Sequence, residues 1–350
     1  MTPLQFAFVA CNRNAGRFRD DPSFIYRCEN MADALKVAGH QVSLFHISQF
    51  PLNQRFDTVV FHRPRQSVRF ALTLLLLKRQ KHCVLAADLD DLVFDEALAE
   101  FSPGVVNGLV SLTTARKNFL AHQKAMNRLD LLTVSTDPLA KHARAIFPAA
   151  QVVIIPNAVP LEWRKADERV HQGKKKLVVT YFPGTRSHDR DFSLIAEPLT
   201  AFLEKYPETC LQVTGPLTFD LQARPGQILK REKVSFENYP SLFRDSWVNL
   251  APLESTPFNR CKSALKVIEA GYWTIPTVCS PTSDTSRFSE AGALPAKTPE
   301  DWFAQMEALL DPDHYRVVTD KLRERTLQVA DVFCFASRLV QTVLEAREKK

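Results

Sequence analysis

The feature that most constrains this chain is a succession of short, largely apolar segments separated by helix-length stretches. Strands that are apolar on both faces, with no polar alternation, belong to parallel sheets covered by helices on both sides. In the first half, residues 4–10, 41–46, 58–62, 83–87, 131–135 and 152–155 read as such strands. Helices are expected over 24–38, 67–81, 114–127 and 138–146. That alternation predicts an α/β, Rossmann-like domain over 1–160.

The pattern then breaks. Residues 161–176, LEWRKADERVHQGKKK, are polar, charged and aperiodic, which reads as a linker. A second α/β unit is expected over 177–330, with strands at 177–181, 211–214, 234–236, 247–251 and 276–279. Its helices are expected over 190–206, within 262–275 and over 299–310, with two more after Asp313. The last of these, over 331–350, could pack back onto the first domain. At 350 residues, two domains of ordinary size suit the length.

Composition narrows the function classes. Seven cysteines stand far apart with no C-x-x-C pair, which argues against a zinc site or a disulfide framework and points to a reducing compartment. The first residues, MTPLQFAFVACNRN, lack the basic and long apolar regions of a signal peptide, and the run 71–77 is too short to span a bilayer. A net charge of +6 does not indicate nucleic acid as a partner. The distribution is uneven, because Arg13, Arg17, Arg19, Arg27, Arg55, Arg63, Arg65, Arg69, Lys78, Arg79 and Lys81 all fall in the first quarter. Two readings stay open for them: solvated loop charges, or a patch for an acidic acceptor or a membrane surface.

Open parallel sheets bind ligands beyond the carboxyl ends of their strands. In the second half those ends lead into YFPGTRSHDRDF, TGPL and APLESTPFNRCKS. Gly184 and Thr185 form a turn, while Arg186 and His188 precede a helix whose N–H groups could meet a diphosphate. The bland alternative is a capped loop with an exposed arginine. In NRCKSALKVIEAGYWTIPTVCS, Lys262 and Ser263 stand at a helix start, where the dipole favours an anion. Lys266 and Glu269, three apart, project to one side of the helix. No G-x-G-x-x-G follows a predicted strand, so a dinucleotide-dependent dehydrogenase is poorly supported.

Taken together, IIPNAVP before the linker, YFPGTRSHDRDF after it and the 259–280 segment resemble the GT-B glycosyltransferases, particularly the retaining family-4-like group. FIYRCENMADALKVAGHQV and VLAADLDDLVFDE are similar to segments of bacterial polysaccharide and O-antigen enzymes of that group. The resemblance implies two Rossmann-like domains with parallel sheets facing a central cleft. It implies a nucleotide-diphosphate sugar donor on the second domain, and a glycan or lipid-linked glycan acceptor on the first. It places Glu269 on the ribose and Arg186 with Lys262 or Lys266 on the diphosphate. Gly184, Thr185, His188, Asn259 and Ser263 complete the donor set, with no cofactor and no divalent metal expected. The family's pattern expects a glutamate eight residues before Glu269, where this chain has Cys261. A thiol cannot replace that carboxylate, so either Glu254 or the backbone of 259–263 would meet the donor sugar.

The acidic turn Asp88, Asp90 and Asp91 has two readings, a D-x-D metal site or an acceptor-side cleft wall, and the second is preferred. Arg27 and His62 are expected to face the same cleft, although a lone histidine is more often structural. Phe236, Tyr239, Phe243 and Trp247 read mainly as core, with a backbone that could meet a nucleobase. The expected activity is retaining glycosyl transfer in surface polysaccharide synthesis, cytoplasmic, with the inner face of the membrane as a further location. The rivals are a nucleotide-sugar epimerase of the same fold and a non-catalytic sugar-binding module.

Overall fold

A computed structural model describes residues 2–165 and 177–349. Two six-stranded, all-parallel sheets form its framework. The first has the order β2-β1-β3-β4-β5-β6. Its strands are β1 Gln5–Ala10, β2 Gln41–His46, β3 Thr58–His62, β4 Val84–Leu89, β5 Leu131–Val134 and β6 Gln151–Ile154. Between them run α1 over 22–37, α2 Val68–Leu77, α3 Leu112–Met126 and α4 Asp137–Ile146. Helix α1 contains a π turn at Ile25–Glu29. Most of these strands are apolar on both faces because the sheet is sandwiched. One face carries Phe61, Phe70, Leu74 and Phe119, and the other carries Phe6, Phe8, Phe24 and Leu35.

The second sheet has the order β12-β11-β10-β7-β8-β9. It contains β7 Leu177–Tyr181, β8 Thr209–Thr214, β9 Ile228–Arg231, β10 Ser246–Ala251, β11 Thr277–Cys279 and β12 Ala293–Pro295. Its helices are α5 Asp189–Ser193, α6 Ala196–Lys205, α7 Leu265–Tyr272, α8 Pro299–Ala308, α9 Pro312–Thr319, α10 Leu322–Val329 and α11 Val332–Glu348. Helix α11 lays Val332, Phe335, Leu339 and Val343 against the core of the first sheet, beside Leu4, Phe6 and Leu35.

In each sheet the order reverses at one place, between β1 and β3 and between β7 and β10. Such switch points leave a crevice at the carboxyl ends of the strands. Register matters there. Ala10 pairs with His62, His62 with Asp88 and Asp88 with Thr133, so one row of residues crosses the end of the first sheet.

Several expectations need correction. No strand covers 234–236; the strand lies upstream as β9, and Val234, Ser235 and Phe236 line a cavity. The expected helix over 190–206 splits into α5 and α6, and three helices, not two, follow Asp311. Lys321, in a left-handed conformation, and Asp331, a side-chain cap, separate those three. Of the expected linker, Leu161–Lys165 forms a short turn of helix, and 166–176 lie outside the described residues.

Candidate functional site

A cavity of about 700 Å³ lies between the two sheets, lined from both halves of the chain. From the first come Arg19, Tyr26, Asp90, Asp91 and Asn157; from the second come Gly184, His188, Lys262, Ser263, Lys266 and Glu269. The loops after β7 and β10 reach it at the switch point, as does the start of α7. Lys262 and Ser263 stand just before α7, which begins at Leu265 with Ala264 as its N-cap. The Ala264 N–H donates to Oδ2 of Asp284 at 2.7 Å, so a carboxylate of the protein already braces the helix start. Leu265 and Lys266, the first residues of α7, line the cavity, and the first N–H groups of a helix have no acceptor within it.

Glu269 is buried on α7, and both of its oxygens accept from phenols. Oε1 takes Oη of Tyr26 at 2.5 Å, and Oε2 takes Oη of Tyr239 at 3.0 Å. Burial raises its pKa, against the Lys266 charge and the two phenols, which act to lower it. Lys266 donates to the carbonyl of Phe182 at 2.9 Å, and burial lowers its pKa while Glu269 opposes the shift. One helix face therefore presents a half-buried cation and a buried anion, as their spacing of three predicts.

Two further cavity residues are also met from the first domain. Lys262 donates to Oδ1 of Asp91 at 3.1 Å, and Asn157 donates to the Ser263 hydroxyl at 2.8 Å. Arg63 sits opposite, donating to Asp90 at 2.7 Å and to Asp91 at 2.9 Å. Its φ of 47° is left-handed, which is strained for a residue with a Cβ. The strained turn accompanies a guanidinium that bridges both carboxylates.

His188 lines the cavity with Nδ1 held 2.9 Å from Oδ2 of Asp191. Burial lowers its pKa, and the bond to Asp191 works the other way. Asp191 is itself buried, and its Oδ1 accepts from the Glu254 N–H at 2.8 Å and from Asn259 at 3.2 Å. It thereby ties together the loops after β7 and β10. The sequence reading missed Asp191, Tyr26, Asn157 and Arg63. A signal existed for Asp191, three residues beyond His188 and so one helical turn away.

Other expected residues are placed elsewhere. Thr185 and Arg186 are exposed and do not line the cavity; Arg186 donates to the Thr218 hydroxyl at 3.2 Å. Asn259 is a buried brace between Asp191 and the carbonyl of Glu254. Glu254 accepts from Arg190 at 2.5 Å, so its carboxylate points to that partner and not into the cavity lining. Gly184 lines the cavity, and a Cβ there would meet nothing within 4 Å. The turn's steric demand falls on Gly215, where φ is +128° and a Cβ would stand 2.3 Å from the carbonyl of Pro183.

Cys261 is 1% exposed and packs with Phe258 into the apolar core of the first domain. Burial pushes its thiol up to about 12. The position eight residues before Glu269 thus faces a neighbouring core and not the cavity.

Arg27, Asp88 and His62 also lie away from the cavity lining. The Arg27 guanidinium meets both oxygens of Asp88, at 2.7 and 3.0 Å, and donates to the carbonyl of Ile155 at 2.6 Å. It sits inside α1 and is directed at the sheet and not at the cleft. Burial raises the Asp88 pKa, but Arg27 and the bond from His62 outweigh it and hold the group down at about 2. His62 reaches Asp88 with Nδ1 at 3.3 Å and the Ser23 hydroxyl with Nε2 at 2.9 Å. Ser23 donates in turn to Asp90 at 2.6 Å, which links this buried row to the cleft wall. Cys28, His62 and Asp88 bring three ligand-type atoms within 4.8 Å of one another. Both oxygens of Asp88 are committed to Arg27, and burial with the Asp88 charge raises the Cys28 pKa, so the trio is suited to packing more than to a cation.

No protein-family model and no curated protein matches the chain. Solved structures do match. A glycosyltransferase from Rickettsia africae ESF-5 is 9% identical, with all of both chains covered and a TM-score of 0.61. An alpha-glucosyltransferase solved in complex with UDP is 11% identical, over 97% of this chain and 100% of that one, with a TM-score of 0.65. A UDP-GlcNAc 2-epimerase from Neisseria meningitidis, bound to UDP-GlcNAc, is 11% identical over 98% of this chain and 100% of that one, with a TM-score of 0.51. At such identities the likeness is one of architecture, and by that measure this chain has the GT-B fold, two Rossmann-like domains whose parallel sheets face a central cleft.

Proposed function

We propose that the chain is a retaining glycosyltransferase that moves a sugar from a nucleotide-diphosphate donor to a glycan or lipid-linked glycan. The observation that carries this reading is the grouping of Lys262, Lys266 and Glu269 around the start of α7, on a cavity that both domains line. The donor diphosphate would take the place of Asp91 on Lys262 and meet the first N–H groups of α7. Glu269 would accept from the ribose hydroxyls. Cations and the helix terminus stabilise charge on the departing diphosphate, and the acceptor attacks from the same face of the sugar. Closure of the first domain excludes water from the reacting centre. This reading needs no metal, because protein cations meet the charge. It puts the protein in the cytoplasm, at the inner face of the membrane for a lipid-linked acceptor, in surface polysaccharide synthesis.

The test is calorimetry with UDP and other nucleoside diphosphates, followed by incubation with nucleotide sugars and acceptor glycans. Glu269→Ala and Lys262→Ala should each weaken nucleotide affinity at least tenfold, about the 1.5–3 kcal/mol of a charge-assisted hydrogen bond. Unchanged affinity in both variants would sink the donor-site assignment, and inversion at the anomeric carbon in the product would sink retention.

A second reading, a nucleotide-sugar epimerase, is favoured by the fold shared with the Neisseria meningitidis epimerase. Incubation with donor alone separates the two, since an epimerase converts the sugar without acceptor. A third, a non-catalytic sugar-binding module, gains support from Cys261 and predicts nucleotide-sugar binding without turnover.

A further inference from the structure

Helix α2 is apolar on two faces. Phe70, Thr73, Leu74 and Leu77 are buried against the first sheet, while Val68, Leu72 and Leu75 are 79%, 55% and 54% exposed. Spaced at i, i+4 and i+7, these three form one continuous aliphatic stripe on the solvent side. Among the other large exposed aliphatics, Val37, Leu52, Leu194 and Val317 stand singly along the chain, as surface apolar residues ordinarily do, and Leu109 and Val110 form an adjacent pair outside any regular helix.

The charges that this stretch of the chain itself contributes are of one sign. From residue 58 to residue 87 the chain contains no aspartate or glutamate, yet it carries Arg63, Arg65, Arg69, Lys78, Arg79 and Lys81. Arg63 is committed to Asp90 and Asp91, and Arg65 and Arg69 donate to Asn118 and to the carbonyl of Ile47. Lys78, Arg79 and Lys81 are exposed just beyond the end of α2, and none is in an ion pair among the described residues. An aliphatic stripe ending in unpaired cations matches the boundary of an anionic bilayer, where acyl chains take the aliphatic groups and headgroups take the cations. A second copy of the same face is disfavoured, because a two-fold contact would bring basic rims together.

We propose that α2 docks this protein on anionic lipid bilayers, with Val68, Leu72 and Leu75 entering the interface and Lys78, Arg79 and Lys81 meeting lipid phosphates. The docking stands on α2 alone and needs no nucleotide, so it succeeds or fails separately from the donor-site reading.

The test is co-sedimentation of the full chain with vesicles of phosphatidylcholine alone or with phosphatidylglycerol added, at low and high salt. Binding is expected only to the anionic vesicles and should weaken as salt rises. Leu72→Asn with Leu75→Asn should weaken it by about tenfold or more. Lys78→Gln and Arg79→Gln should each weaken it by about fivefold. Both pairs are exposed, and an unchanged urea midpoint establishes that the variants are folded; if the leucine pair fails to fold, the lysine and arginine variants still decide. Absence of binding to anionic vesicles at low salt would overturn the proposal. So would binding that survives the leucine substitutions in a folded protein. A concentration-dependent dimer in light scattering that those substitutions abolish would assign the face to a second copy instead.

Discussion

Tyr26 of the first domain donates its phenol to Glu269 of the second at 2.5 Å. Across the same cleft Asp91 accepts from Lys262 at 3.1 Å. A hydroxyl on the carboxylate and an anion on the lysine are the two contacts that a ribose and a diphosphate would make. Tyr26→Phe keeps the edge-on ring contacts to Trp163 and Phe236 and removes only the hydroxyl. If Tyr26 competes with a nucleotide for Glu269, the variant should bind UDP more tightly, by about 1.5 kcal/mol or roughly tenfold in Kd. Calorimetry decides it, and equal or weaker binding would show that Tyr26 does not compete.

The pairing of Arg27 with Asp88 has a different consequence. Burial removes both groups from water, so each depends on the other. Asp88→Asn leaves the guanidinium buried without its counter-charge and should destabilise the protein by about 3–5 kcal/mol in urea unfolding. The pH dependence has a definite sign. Asp88 is held at about 2 in the folded protein against an ordinary 3.8, so its contribution is present above 3.8 and is lost as pH falls towards 2. That contribution is on the order of 2 kcal/mol, and the Asn variant should show a correspondingly flatter acid limb.

Cys261 yields a third prediction. Its side chain is sealed in the first domain's core, so restoring the glutamate expected by the family pattern would drive a carboxylate into apolar surroundings. Cys261→Glu should cost roughly 3 kcal/mol or more, or detach the 259–261 turn from the first domain, and should not create or raise transfer activity. Cys261→Ala, which removes only the thiol, should cost about 1 kcal/mol. A glutamate variant as stable as the parent and more active would mean that the segment can rotate towards the cavity.

These cases show what the residues alone could reveal. Strands 41–46, 58–62 and 177–181 match the expected bounds because each reads as a compact β-rich run bounded by turn residues. Strands β9 and β12 escaped notice, since edge strands such as Ile228–Arg231 are half-exposed and carry charges on one end. In the site, the spacing of Lys266 and Glu269 was readable as a helix face, and Lys262 as a residue at that helix's start. The direction of Cys261 was not, because it depends on packing against residues more than a hundred positions away. Tyr26 was hidden for the same reason, as its partner Glu269 lies 243 residues along the chain. Arg27 and Asp88 have the chemistry of site residues, and only the sheet register reveals them as a buried structural pair.

The last prediction concerns His188 and Asp191. Burial lowers the His188 pKa below its ordinary 6.5, and the carboxylate of Asp191 opposes that shift through Nδ1. Asp191→Asn removes the charge and keeps an oxygen that can accept from the Glu254 N–H. The imidazole should then titrate at still lower pH, read by NMR from the His188 ring resonances. Because the folded pKa lies below the unfolded one, stability is full above 6.5 and declines as pH falls through the folded value. The Asn variant should extend that decline to lower pH and deepen it. A His188 titration that stays put or moves up would mean that some other group governs the ring, and Asp191 would then be only a brace between the two loops.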